Sequence, residues 1–251
     1  MTTPARQWIF VAALVLLTTG SAAAQQPAPD DATRYMAMGD SIAAGYKAQP
    51  ATQGYAFVLY QSGVFDHVSR TVFNNVAAVG ATSQDVLDYQ VPLALIPAAR
   101  GGFVPDHVTL TAGGNDIADV LRFAATGPAP AVLQAYAGAA LATYQDNLAD
   151  ILQALTLNAP GRRIYVGNQY SVPEIEALLP QGAELLEAFN AATAAVVSAF
   201  PGRAYLVDVH AAFDGRRGLL LIDRQSAVLF EVHLTNAGHR AMAQAFADVI
   251  D

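Results

Sequence analysis

The chain has 251 residues, 53% of them hydrophobic and 14% charged, which suits one compact domain with a sizeable core and argues against disorder beyond the N-terminus. A formal net charge of −8 without any basic cluster excludes nucleic acid and anionic membranes as attracted partners. Cysteine is absent, and with it disulfides, thiolate chemistry, Cys-ligated zinc and a lipid-modified N-terminal cysteine.

The first 26 residues, MTTPARQWIFVAALVLLTTGSAAAQQ, combine a basic start at Arg6, an apolar stretch from Trp8 to Leu17 and a small-residue end at Ala22-Ala23-Ala24. That pattern reads as a secretory signal peptide over 1–24, cleaved after Ala24, because the apolar stretch falls short of the ~20 residues a membrane anchor needs. The expected location is therefore secreted or periplasmic, with a Gln/Pro-rich linker over 25–33 and a single folded domain over 34–251.

Short apolar runs at 34–38, 71–76, 107–111, 163–167 and 204–209 read as strands. Helical patterns fall between and after them at 55–64, 83–88, 131–157 (one helix or a broken pair), 182–200 and 236–249. The alternation predicts parallel βαβ units with right-handed crossovers, hence an α/β fold, a three-layer αβα sandwich of about five strands. The stretches 124–130 and 169–182, the latter with Pro173 and Pro180, read as loops.

Candidate chemistry gathers at strand ends. In MAMGDSIAAG (36–45), Ser41 emerges at the carboxyl end of a strand, where the crevice of an open α/β sheet binds ligands. The plain alternative is a strand-to-loop turn capped by serine. In NNVAAVGATS (74–83), Gly80 lets the backbone approach a ligand and present its N–H, or simply makes a turn. In VTLTAGGNDI (108–117), Asn115 is a neutral donor suited to an oxyanion, and equally suited to capping a helix. In EVHLTNAGHRAMAQAF (231–246), His233 precedes a helix whose apolar face packs on the sheet, which leaves the imidazole at the crevice edge. A rival histidine, His210, stands two residues after Asp208, and on an extended strand the two would share a face. His239 reads as a packing or hydrogen-bonding residue, and Asp40 and Asp116 as turn-fixing residues.

As a set, GDS at 39–41, the glycine of VGATS at 80, GGND at 113–116 and HLTNAGH at 233–239 resemble, in order and spacing, the four blocks of the GDSL/SGNH hydrolases. The stretch YVGNQYSVP (165–173) is similar to that family's fourth strand and following loop. The resemblance implies a flavodoxin-like αβα fold and hydrolysis of esters or thioesters, without metal or cofactor, on a small-molecule ester. By position it makes Ser41 the nucleophile and His233 the base, with Ser41, Gly80 and Asn115 forming the oxyanion hole. The family usually places an aspartate three residues before the histidine, where this chain has Phe230; Glu231 is then a candidate orienting acid, and the Phe230 carbonyl, as part of a Ser-His dyad, the favoured alternative. The leading reading is an exported carboxylic ester hydrolase. The others are a thioesterase or lysophospholipase on the same residues, and a non-catalytic binding protein on the same fold. The loop 169–182, with Val172, Ile175, Leu178 and Leu179, is expected to line the acyl or alcohol pocket.

Overall fold

The computed structural model describes residues 31–157, 159–177, 181–221 and 232–250. In chain order the elements are β1 (Thr33–Gly39), α1 (Tyr55–Ser62), β2 (Thr71–Asn75), α2 (Ser83–Asp85), α3 (Val91–Leu95), β3 (His107–Thr111), α4 (Gly114–Ala124), α5 (Pro130–Leu157), β4 (Arg163–Gly167), α6 (Pro173–Glu176), α7 (Gly182–Ser198), β5 (Ala204–Val207), α8 (Val209–Phe213) and α9 (Asn236–Ala247). The strands form one parallel sheet in the order β2-β1-β3-β4-β5. This is the flavodoxin-like order, and it reverses direction between β1 and β3.

Side-chain alternation along the strands builds the two flanking layers. Met36 and Met38 of β1, with Val108 and Leu110 of β3, point to the face covered by α5 and α7, where Leu148, Ile151 and Phe189 are fully buried. Tyr35 and Ala37 point the other way, onto Tyr55 and Leu59 of α1 and Met242 and Phe246 of α9. Strands buried on both faces need near-continuous apolar runs, and each large side chain removed from water contributes about 1.5–3 kcal/mol before entropy is counted.

The expected strands and fold class hold, with three informative differences. The last strand ends at Val207, two residues early, because Asp208 caps α8 by accepting a hydrogen bond from the Ala211 N–H at 3.0 Å. The expected 83–88 helix runs on to Leu95 through a π-helical turn over Val86–Gln90. That turn aims the buried Gln90 amide at the end of β1, where its Nε2 donates to the Gly39 carbonyl (2.8 Å) and its Oε1 accepts from the Gly39 N–H (2.7 Å). Helix α4 was not anticipated. The 131–157 pattern forms one unbroken helix, buried at Tyr144, Asn147, Leu148, Ile151, Leu152 and Leu155 in its second half only.

Gly39 closes β1 with φ +125°, and a Cβ there would lie 1.9 Å from the Thr111 carbonyl oxygen. The close approach is used at once: the Asp40 N–H donates to that carbonyl at 3.1 Å. The chain thus leaves β1 directly across the end of β3, which places Ser41 over the switch point.

Candidate active site

Ser41 and His233, 192 residues apart, meet above the sheet with Ser41 Oγ 2.8 Å from His233 Nε2. This is the separation a base needs to take a hydroxyl proton. The histidine's backbone is fixed by its neighbours: the Leu221 N–H donates to the His233 carbonyl (2.7 Å), and Thr235 caps α9 by accepting from the Gly238 N–H (3.1 Å). Glycine is required at 238, since a Cβ there would sit 2.1 Å from the Leu219 carbonyl oxygen.

The structure brings Gly80 and Asn115 together. Gly80 has φ +84° with open space where a Cβ would stand, so its main chain is accessible to a ligand. Asn115 does not cap α4, which starts from Gly113 in the left-handed region. Its Nδ2 instead donates to the Ala81 carbonyl at 2.9 Å, which ties the amide to the Gly80 turn and leaves its second N–H for another acceptor. The turn itself is pinned from below. Thr82 and Asp85 form a reciprocal cap at the start of α2, and Asp116 accepts from both the Ser83 N–H (3.0 Å) and its hydroxyl (2.6 Å). Asp116 is therefore a turn-fixing residue, as expected.

Other sequence candidates fall elsewhere. His210 lies on α8, not on a strand, and the Asp208 carboxylate is occupied by Ala211 N–H and by Asn168 Nδ2 at 3.0 Å, so the strand-face pairing of the two does not form. His239 is fully buried and structural: the Tyr55 N–H donates to its Nδ1 (3.3 Å), so its Nε2 carries the proton offered to the Tyr46 carbonyl (3.3 Å). Burial first, and the neighbouring His233 charge after it, hold its pKa below the ordinary histidine value. Phe230, Glu231 and the segment 1–24 lie outside the described residues.

Two aromatic residues around the histidine were not singled out from the sequence. The Tyr46 ring packs edge-on against the His233 imidazole, centroids 4.6 Å apart. The Tyr170 hydroxyl donates to the Val232 carbonyl at 2.7 Å, one residue before the histidine, while its ring stacks on Phe213. Both sit in loops, where spacing carries no periodic signal; only YVGNQYSVP (165–173) pointed to the second.

An apolar cavity of about 130 Å³ is lined by sequence neighbours of Asn115 and His233. Gly114 and Val232, the neighbours of Asn115 and His233, form one side of it, and Ile117, Leu121, Val172 and Leu186 form much of the rest. The loop after β4 thus lines a pocket through Gln169, Tyr170, Val172 and Glu176, whereas Leu178 and Leu179 lie outside the described residues.

Comparison with known proteins is decisive at the family level. A model of the GDSL-like lipase/acylhydrolase family matches residues 37–241. The chain belongs to this family. It is accordingly a carboxylic ester hydrolase of the GDSL type. A search of curated proteins finds no match. Among solved structures, a lipase from a goat-rumen metagenome aligns with a TM-score of 0.63 at 20% identity, covering 85% of this chain and 95% of the other. A phospholipase A1 from Streptomyces albidoflavus gives 0.62 at 21% identity over 87% and 99% of the two chains. An extracellular lipase from Streptomyces rimosus gives 0.60 at 23% identity over 87% and 100%. At these identities the structures speak for the shared fold.

In this GDSL-like hydrolase the aspartate of the GDS motif is a buried charge beside the serine. Burial raises the Asp40 pKa from 3.8 to about 6, against hydrogen bonds from the Ile42 N–H (2.9 Å) and the Thr111 hydroxyl (2.9 Å) that favour the ionised form. A carboxyl whose folded pKa lies above its unfolded value binds more protons when folded, so its contribution to stability declines as pH rises from about 4 to about 6. Asp40→Asn, which keeps the acceptor oxygen, is expected to gain on the wild type across that window by up to about 3 kcal/mol. Denaturant unfolding of both proteins at pH 4 and pH 7 measures it, and an equal stability difference at the two pH values contradicts a raised Asp40 pKa.

Proposed function

We propose that this GDSL-like hydrolase is an exported enzyme that cleaves carboxylic esters through an acyl-serine intermediate. The observation that carries the reading is the 2.8 Å contact between Ser41 Oγ and His233 Nε2 at the switch point of the sheet. His233 takes the hydroxyl proton as Ser41 Oγ attacks the ester carbonyl carbon, and the carbonyl π bond opens to an oxyanion. The backbone N–H groups of Ser41 and Gly80 and the free N–H of the Asn115 amide receive that charge. When the tetrahedral species collapses, the C–O bond to the alcohol breaks and the imidazolium proton passes to the departing oxygen. Water, deprotonated by the same His233, then attacks the acyl-serine ester, and the proton returns to Ser41 as the acid leaves. Export is supported by the basic, apolar and small-residue succession over 1–24.

A fluorophosphonate probe tests the reading, since it phosphonylates only a serine activated by its surroundings. The expected result is a single adduct that peptide mass spectrometry places on Ser41. Folded protein without an adduct at Ser41 would favour a non-catalytic binding protein on this fold.

A further inference from the structure

Leu185 of α7 lines the apolar cavity that Gly114 and Val232 also line. The same residue lines a second and larger space of about 610 Å³, a solvent-open groove between α4, the first half of α5 and α7. Leu185 lines both, and among the described residues it is the one side chain common to them. On α4, Leu121 lines the cavity and the adjacent Val120 the groove. Leu133, Ala137 and Leu141, at helical spacing on α5, give the groove an apolar wall, with Gln134, Gln181 and Glu184 also on its lining.

The sizes decide what each space accepts. At about 130 Å³ the first cavity is slightly smaller than an engineered apolar cavity of about 150 Å³ that takes up benzene, so it holds about five or six carbons. A longer chain meets Leu185 and has to remain in water or displace it. The acyl part of the ester is the occupant that fits. The alcohol would receive its proton at His233, against which the 39% exposed Tyr46 packs, whereas Gly114, next to the Asn115 amide proposed to hold the carbonyl oxygen, lines the apolar cavity.

We propose that Leu185 is the stop that limits the acyl chain of the substrate to short and medium lengths, and that the open groove it also lines takes the distal methylenes of a long acyl chain once this stop is shortened. The inference rests on the serine-hydrolase reading above. Each methylene that an apolar pocket accommodates or refuses changes kcat/KM by about tenfold or more, so a single partitioning side chain is enough to set a chain-length profile.

The test measures kcat/KM for p-nitrophenyl esters from acetate to dodecanoate, and for acetate esters of alcohols of increasing length, with wild type, Leu185→Ala and Leu185→Phe. The wild-type profile is expected to peak between butanoate and hexanoate. The dodecanoate-to-butanoate ratio should rise by about tenfold or more in Leu185→Ala, and the optimum should move toward acetate in Leu185→Phe, with the alcohol series unmoved. Circular dichroism and thermal melting establish that each variant is folded. Should Leu185→Ala prove unfolded, the opposite shift in Leu185→Phe still decides. A wild-type optimum at dodecanoate, an acyl profile unmoved in a folded variant, or a shift confined to the alcohol series overturns the assignment of Leu185. Wild-type protein that hydrolyses none of the esters and takes no fluorophosphonate overturns the serine-hydrolase reading, and the assignment of Leu185 with it.

Discussion

Ser41→Ala and His233→Ala are each expected to lower kcat for p-nitrophenyl butanoate by about 10⁴- to 10⁶-fold while the melting temperature stays close to that of the wild type. The reason is that in the proposed mechanism the two groups act as one device. Alanine at 41 removes the atom that forms the acyl bond, and alanine at 233 leaves a hydroxyl that is almost wholly protonated at neutral pH and no base to deprotonate the water that releases the acyl group. Neither side chain supports the core: Ser41 ends on the imidazole, and His233 reaches the site from a segment held by main-chain contacts to Leu219 and Leu221. Because the roles are coupled, the double variant should be hardly worse than either single one. Wild-type-like turnover in Ser41→Ala would remove the nucleophile assignment, and additive losses in the double variant would mean that the two residues serve separate steps.

The second large effect is expected at Asn115. Removing one oxyanion donor costs about 2.7–4 kcal/mol in the transition state, so Asn115→Ala should lower kcat by about a hundred- to a thousand-fold with KM little changed. In the proposed mechanism the charge that the amide receives exists only after Ser41 has attacked, which is why the loss is expected in kcat. The same side chain also holds the Ala81 carbonyl at 2.9 Å, so a stability cost of about 1 kcal/mol should accompany it. These two consequences separate the roles. A variant that melts earlier yet keeps its kcat would make Asn115 a strut for the Gly80 turn, and a change confined to KM would make it a substrate-binding group only.

How far the sequence reached can be followed residue by residue. The strands at 107–111 and 163–167 were legible to the residue, because both are short, largely apolar stretches between turn formers, and the threonines of HVTLT that are buried keep hydrogen-bond partners in Tyr35 and Asp40. Gly39, Gly80, Gly113 and Gly238 stood out inside the four blocks, and three of them prove to occupy the left-handed region while the fourth faces a carbonyl too close for any Cβ. Helix α4 escaped notice because its start, Gly113-Gly114-Asn115-Asp116, reads as a loop by composition, although Ile117, Val120, Leu121 and Ala124 recur at helical spacing behind it. His210 was drawn into a strand that had already ended, since the side chain of Asp208 turns the chain into α8.

By itself, the sequence determined the alternation of elements, the parallel sheet and the four family blocks that hold the candidate site residues, since all of these follow from local polarity, glycine placement and order along the chain. Only the tertiary structure decided that Ser41 and His233 touch, that the Asn115 amide turns to Ala81 instead of capping its helix, that Tyr170 and Tyr46 brace the histidine, and that Leu185 lines both a cavity and a groove. Each of these is a contact between segments tens to nearly two hundred residues apart, and such a contact is fixed by how helices lie on the sheet, a packing solution that no local pattern contains.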